Sequence, residues 1–344
     1  AGTSNDTGGF QLWRTPAPLP HRYYFAEGTT RNNPVDGSFQ EWLCIQNPGT
    51  DAVSAEVEYI MGDGSSSKRS YPVPAQSRLT VDVNTDVGPD RDVSIIVDGS
   101  GPIVCERPMY FDYHGKWTGG HDTAGMNAAS KTGYFAEGCT YSWNEEWLCI
   151  LNPGNSAAEI EIRYQVAGRG EMTQQLRVNA TSRYTVDVKA VVGQDRDVSA
   201  SFTSSVPVIA ERPMYFNYQG KWPGGHNVMG LAETRTRFYF AEGTTRQDPV
   251  AGYFDEWLCL QNPNDEATDV EMVFMLTDGT TRTENRTIQP RTRLTVSVNA
   301  VLGEGVDSSV SVVSHLPIVA ERPLYFLYHN AWPGGSDTIG ATYP

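Results

Sequence analysis

Three glutamates, Glu27, Glu137 and Glu242, stand in identical surroundings, Tyr-Phe-Ala-Glu-Gly. Three arginines, Arg107, Arg212 and Arg322, stand in Glu-Arg-Pro, 80, 75 and 80 residues further on. A carboxylate and a guanidinium repeated in this way could serve acid–base chemistry or hold strands together. Catalysis by the glutamate needs a second carboxylate and a cleft, and enzymes seldom repeat a whole active site three times in tandem. A partly buried ion pair, by contrast, fixes strand register more than it adds stability. The expectation is therefore structural Glu–Arg pairs and no catalytic residue.

The other reactive types point the same way. Five cysteines leave at least one thiol unpaired or paired outside the chain. Cys44 and Cys105 fall on two expected core strands, where a bridge would cross a sandwich. Cys139 and Cys149 would close a short loop, leaving Cys259 as a buried thiol. Ala210 and Ala320 occupy the positions equivalent to Cys105, so the fold does not depend on a bridge there. No CxxC or Cys/His cluster offers zinc its ligands. Asp90, Asp92, Asp195 and Asp197 beside Gly88 and Gly193 give calcium too few oxygens and read as solvated turns. With no repeated Ser/His/Asp order and no phosphate-cradling loop, no metal and no cofactor is expected. Trp117, Trp222 and Trp332, each just before Gly-Gly and just after a tyrosine, either pack the joints between consecutive repeats or form stacking platforms for sugars.

These residues are positioned by a repeat of 110 and then 105 residues. Each copy runs from Tyr-Phe-Ala-Glu-Gly through Glu-Trp-Leu-Cys and an Asn-Pro turn to Glu-Arg-Pro. Cys44, Cys149 and Cys259 each precede the residue before Glu-Arg-Pro by 61 positions, so this framework carries no net insertion. Period-two alternation, as in Ala55, Val57 and Tyr59 against Glu56 and Glu58, marks half-buried strands. Asp63-Gly64 and Asp278-Gly279 read as type I′ hairpin turns, and Pro108 belongs at an edge or bulge. No helical period exceeds two turns. The expected fold is all-β: three tandem immunoglobulin-like antiparallel β-sandwiches, residues 22–129, 130–234 and 235–344, forming a stiff rod because the linkers are short. Residues 1–21, with Trp13 and a proline-rich run, read as a tail docked on a neighbouring domain or protomer.

A formal charge of −15 disfavours nucleic acid, and no apolar run is long enough to enter a membrane as a helix. The start at Ala1 suits a secreted product whose leader is gone.

Tyr-Phe-Ala-Glu-Gly, Glu-Trp-Leu-Cys with its Asn-Pro turn, the Ser/Thr-Arg-x-Thr-Val strand, the Glu-Arg-Pro closure and the Gly-Gly-His or Gly-Gly-Ser ending together resemble the YFAEG-type tandem repeats of secreted and cell-surface proteins of actinobacteria and similar bacteria, domains of unknown function. The resemblance covers about residues 22–342. It implies an extracellular, non-catalytic module of cell-surface architecture and supplies no catalytic residues. The resulting expectation is a subunit of an extracellular filament, fibre or layer that self-associates head to tail, with Trp13 and Tyr343 at its assembling ends and with surface polysaccharide as a further partner. The alternatives are a glycan-binding adhesin module and an accessory region of a larger secreted hydrolase.

Overall fold

A computed structural model describes residues 19–342. Trp13 and Tyr343, assigned to assembly, lie outside the described residues, as does nearly all of the expected tail. The described chain is all-β, with antiparallel sheets.

In the first repeat two sheets face each other. One orders the strands Arg22–Phe25, Val93–Gly99, Val53–Met61 and Ser66–Val73. The other orders Asn32–Asn33, Gly37–Asn47, Val104–Tyr113 and Trp117–Ala124, with Ser77–Asp82 also paired to Gly37–Asn47. The alternation seen in the sequence sets the inward face: Ala55, Val57 and Tyr59 are buried against Leu43, Ile45, Val81 and Cys105 of the opposite sheet. Apolar side chains from both inner faces thus leave water together, the main favourable term in folding. Equivalent cores form around Ile160, Ile162 and Tyr164, and around Val270, Met272 and Phe274.

The later repeats differ in one strand. Val198–Tyr218 is continuous: its first half pairs with Ser130–Phe135 and Ala158–Val166, its second with Asn144–Asn152 and Trp222–Met229. In the first repeat the same path is interrupted after Gly99, where Gly99-Ser100-Gly101 replaces Ser204-Ser205-Val206. Glycines weaken a strand interior because they lose more backbone freedom on ordering.

Two local expectations are refined. The Asp63-Gly64 turn is not type I′: only Gly64 has positive φ (84°), and its N–H donates to the Met61 carbonyl. Gly279 repeats this arrangement (φ 83°), with its N–H donating to Leu276. This is the three-residue hairpin with glycine in the left-handed position. Pro108 lies where the ladder between Gly37–Asn47 and Val104–Tyr113 opens. Glu41 pairs with Met109 and Cys44 with Glu106, and Arg107-Pro108 between them have no partners on that side.

Each repeat also carries one helical turn, Val83–Val87, Val188–Val192 and Val298–Leu302, capped by Asp82, Asp187 and Ser297. In the first, the Asn84 amide receives the Glu41 N–H at 2.8 Å and donates to the Phe39 carbonyl at 2.7 Å. Asn299 does the same for Glu256 and Phe254. The turn therefore pins the strand that carries the Glu-Trp-Leu-Cys glutamate.

Candidate functional site

The opening at Arg107-Pro108 gives the arginine room to turn inward. Arg107 is fully buried, donates to the Glu27 carboxylate and carbonyl, and lies 5.7 Å from the centre of the Phe25 ring. Arg212 repeats the pair with Glu137 at 3.0 Å and with its carbonyl at 2.6 Å, and lies 5.8 Å from the centre of the Phe135 ring. Arg322 meets Glu242 at 2.9 Å by both contacts. The Phe and Glu of Tyr-Phe-Ala-Glu-Gly thus supply a ring and a counter-charge for the arginine.

The glycine of the motif answers to a residue that the sequence reading left aside. A Cβ on Gly28 would lie 2.6 Å from a Glu41 carboxyl oxygen; on Gly138 it would lie 2.6 Å from Glu146, and on Gly243 2.5 Å from Glu256. The glycine leaves space for a buried carboxyl. Glu41, Glu146 and Glu256 stand before tryptophan in all three repeats, and that invariance was the available signal. Among the described residues, both carboxyl oxygens of Glu41 and Glu146 lack a hydrogen-bond partner. Burial, only partly offset by the neighbouring arginine, pushes Glu41, Glu146 and Glu256 up to about 8.

Sequence alone also left open what joins the repeats, and the same clusters do it. Glu211 of the second repeat accepts from the Ala26 N–H and lies 3.2 Å from Arg107. Glu321 of the third accepts from the N–H groups of Ala136 and Glu137 at 3.0 Å each and from Arg212 at 2.7 Å. Tyr215 donates to Glu27, and Tyr325 to Glu137, at 2.6 Å each. Arg183 reaches back to Ser94 at 3.1 Å, and Arg293 to Ser199 at 3.0 Å. Tyr113 stacks on Tyr215 (4.7 Å between centres, 16°) and Tyr218 on Tyr325 (4.1 Å, 9°). The Gly-Gly pairs let neighbouring hairpins touch: a Cβ on Gly225 would lie 2.6 Å from Phe111, and on Gly335 2.7 Å from Phe216.

The two joints differ in charge. At the first, Asn227 donates to Glu211; at the second, Asp337 takes its place and meets Arg212 at 2.6 Å. Burial raises Glu27, but Arg107, His121 and Tyr215 outweigh it and hold the carboxyl at about 2. Glu137 is instead raised, by burial and by Glu321 against the pull of Arg212. Glu321 and Asp337 are both pushed up to about 7, mainly by burial. Burial and the nearby Arg212 push His226 well below the ordinary imidazole range. Ligand atoms of Glu137, His226 and Asp337 lie within 4.8 Å of one another, a geometry that could hold a metal, but Arg212 already bonds both carboxylates.

The disulfide expectations are corrected, because all five thiols are free. Cys105 pairs with Ile45 and faces the core, whereas Cys44 pairs with Glu106 one position along; side chains alternate, so the two sulfurs are on opposite faces of the sheet. Cys149 packs on Tyr24, Ala26 and Ile96 at the first joint, while Cys139 lines a cleft at the second beside Cys259. Trp117 packs against a cluster containing Tyr215, and Trp222 against one containing Tyr325; Trp332 is 62% exposed. Asp90 accepts from Asn32 and Asn33, Asp92 pairs with Arg31 at 2.9 Å, and Asp197 accepts from Tyr141 at 3.1 Å. A half-open cleft lies at each joint. The larger, about 320 Å³, is lined by Trp143, Tyr218, Trp257, Asp197 and Arg293 among others; the other, about 280 Å³, includes Phe39, Trp147, Asp92 and Arg183.

An all-β chain of antiparallel sheets, whose successive repeats are sewn together by buried glutamates and arginines, is the class that fold and site define. It belongs to the Family of unknown function (DUF5719), whose model matches residues 36–214. No curated protein matches the chain. Similar solved structures include Thermotoga maritima 1070 (18% identity, TM-score 0.29, covering 32% of this chain and 96% of that one). The Anabaena sensory rhodopsin transducer is similar at 23% identity and a TM-score of 0.23, over 24% of this chain and 87% of that one. A tetra-tandem repeat from the extending region of a large adhesion protein is similar at 9% identity and a TM-score of 0.14, over 95% and 76%.

Proposed function

We propose that the protein is a non-catalytic structural element of the bacterial cell surface: three immunoglobulin-like sandwiches, residues 22–129, 130–234 and 235–344, locked in series as a stiff segment of an extracellular filament, fibre or layer. One observation carries this reading. Two of the three repeated acids that could have done chemistry, Glu27 and Glu137, are spent on the joints, where Glu211 and Glu321 close on their partners Arg107 and Arg212 of the preceding repeat. A hydrogen-bonded charge cluster tolerates sliding poorly, because any shift leaves a buried charge unpaired. Small-angle scattering of the full chain should therefore fit one rigid arrangement of the repeats, and Glu321→Gln should broaden it. Hydrolysis of a polysaccharide that vanishes in a correctly folded Glu137→Gln variant would overturn the reading.

A second reading, binding of a surface glycan, draws on the aromatic lining of the second joint's cleft, where Tyr141 and Trp143 stack at 5.1 Å and 17° beside Trp257. Glycan-array binding lost in Trp143→Ala would favour it.

A further inference from the structure

We infer that the protein binds a second copy of itself end to end, the outer face of its first repeat docking on the outer face of its third in the geometry that joins its own repeats. This rests on the structural reading above and names the partner and the contacts.

The two internal joints use the same positions twice, and each position has a third copy left over at one end. Glu211 and Glu321 are fully buried, and their equivalent Glu106 is exposed. Tyr215 and Tyr325 are each 4% exposed, whereas their equivalent Tyr110 is 56% exposed. On the opposite face, the tyrosines they stack on, Tyr113 and Tyr218, are each 4% exposed, and the third copy, Tyr328, is 46% exposed. The Glu27 and Glu137 side chains are 4% and 5% exposed, and that of Glu242 is 69% exposed. Charge follows the same pattern: Arg107 meets two glutamates and Arg212 three acids, but Arg322 has only Glu242 among the described residues.

Superposing the internal geometry on these ends pairs every leftover. Glu106 of one copy reaches Arg322 and the backbone at Ala241-Glu242 of the other, as Glu321 does with Arg212 and Ala136-Glu137. Tyr110 stacks on Tyr328 and donates to Glu242, as Tyr325 does with Tyr218 and Glu137. Arg78 meets Ser309, as Arg183 meets Ser94. The two faces are different and complementary, so the contact is heterologous and continues from copy to copy.

The test uses sedimentation velocity on the full chain and on Tyr110→Ala and Tyr328→Ala, exposed positions whose folding is checked by circular dichroism. The parent should associate as concentration rises, and each variant should weaken this by about 30-fold or more. Each variant keeps one intact face, so an equimolar mixture should give a 1:1 dimer and nothing larger. Variants that associate like the parent, a mixture that stays monomeric while the parent associates, or a parent monomeric to about 1 mM would each overturn the inference. Scattering separates the two claims: a rigid monomer leaves the structural reading standing without this interface, and a flexible one removes that reading.

Discussion

Replacing Glu146 by glutamine should make the protein more resistant to alkali. Glu146 is 1% exposed, its carboxyl lies against Gly138, and neither oxygen has a hydrogen-bond partner among the described residues. Burial lifts it from an ordinary 4.5 to about 8. In the folded chain the proton stays on; in the unfolded chain it leaves near 4.5. The stability contributed by the neutral carboxyl is therefore complete below about pH 4.5 and is lost progressively as pH rises through about 8. The full loss is at most about 5 kcal/mol. Glutamine has nothing to ionise, and any cost of its amide is the same at every pH. Thermal melts of parent and Glu146→Gln from pH 5 to 9 should then diverge by about 4 kcal/mol, with the variant gaining roughly 6 °C if the chain melts as one body and about three times that if the second repeat melts alone. Groups common to both proteins cancel in the difference. A gap that does not change with pH, or a parent that gains on the variant as pH rises, would refute the assignment of a neutral buried carboxyl.

Arg212→Met should cost about 3–5 kcal/mol in denaturant unfolding at pH 8, because Glu137, Glu321 and Asp337 would be left facing one another; at pH 5, below the value of about 7 to which Glu321 and Asp337 are pushed up, the cost should shrink. Gly225→Ala should destabilise by about 1–3 kcal/mol, since its Cβ would sit 2.6 Å from Phe111, and Phe111→Leu should recover part of the loss. Native alkylation followed by mass mapping should mark the half-buried Cys44 first, with Cys105, Cys139, Cys149 and Cys259 reacting only on unfolding; a Cys44–Cys105 linked peptide would contradict the register.

The strands and their inward faces were legible because period two survives in every repeat, as in Ala55, Val57 and Tyr59. The Glu27–Arg107 partnership was legible as well, since both residues recur in fixed words. What was not legible is where a word is used. Glu-Trp-Leu-Cys reads as a strand buried on both faces, yet Cys149 and Cys259 are buried because the preceding repeat covers them, and Cys44, with no repeat over it among the described residues, is half exposed. Glu106, Glu211 and Glu321 are likewise the same letter in exposed and fully buried settings. The proposed Cys44–Cys105 bridge failed for a related reason: the sequence placed both cysteines on core strands but could not fix a one-residue offset in pairing, and that offset decides the face.

Burying so many ionisable groups is a poor way to gain stability, since well-packed apolar residues at such a site commonly do as well or better. Its advantage is directional. The apolar part of the first joint, Tyr24, Ala26, Ile60 and Ile96 against Cys149, Leu151 and Ile209, would tolerate small rotations and slips. The contact from Glu211 to Arg107 and the hydrogen bond from Tyr215 to Glu27 tolerate neither, because a displaced partner strands a charge away from water. The second joint keeps the directional groups but adds Asp337, a carboxyl that burial pushes up to about 7, where the first joint has the neutral amide of Asn227. Nearly identical words therefore make two joints of similar geometry and unequal charge, and one position that sets them apart is asparagine at 227 and aspartate at 337.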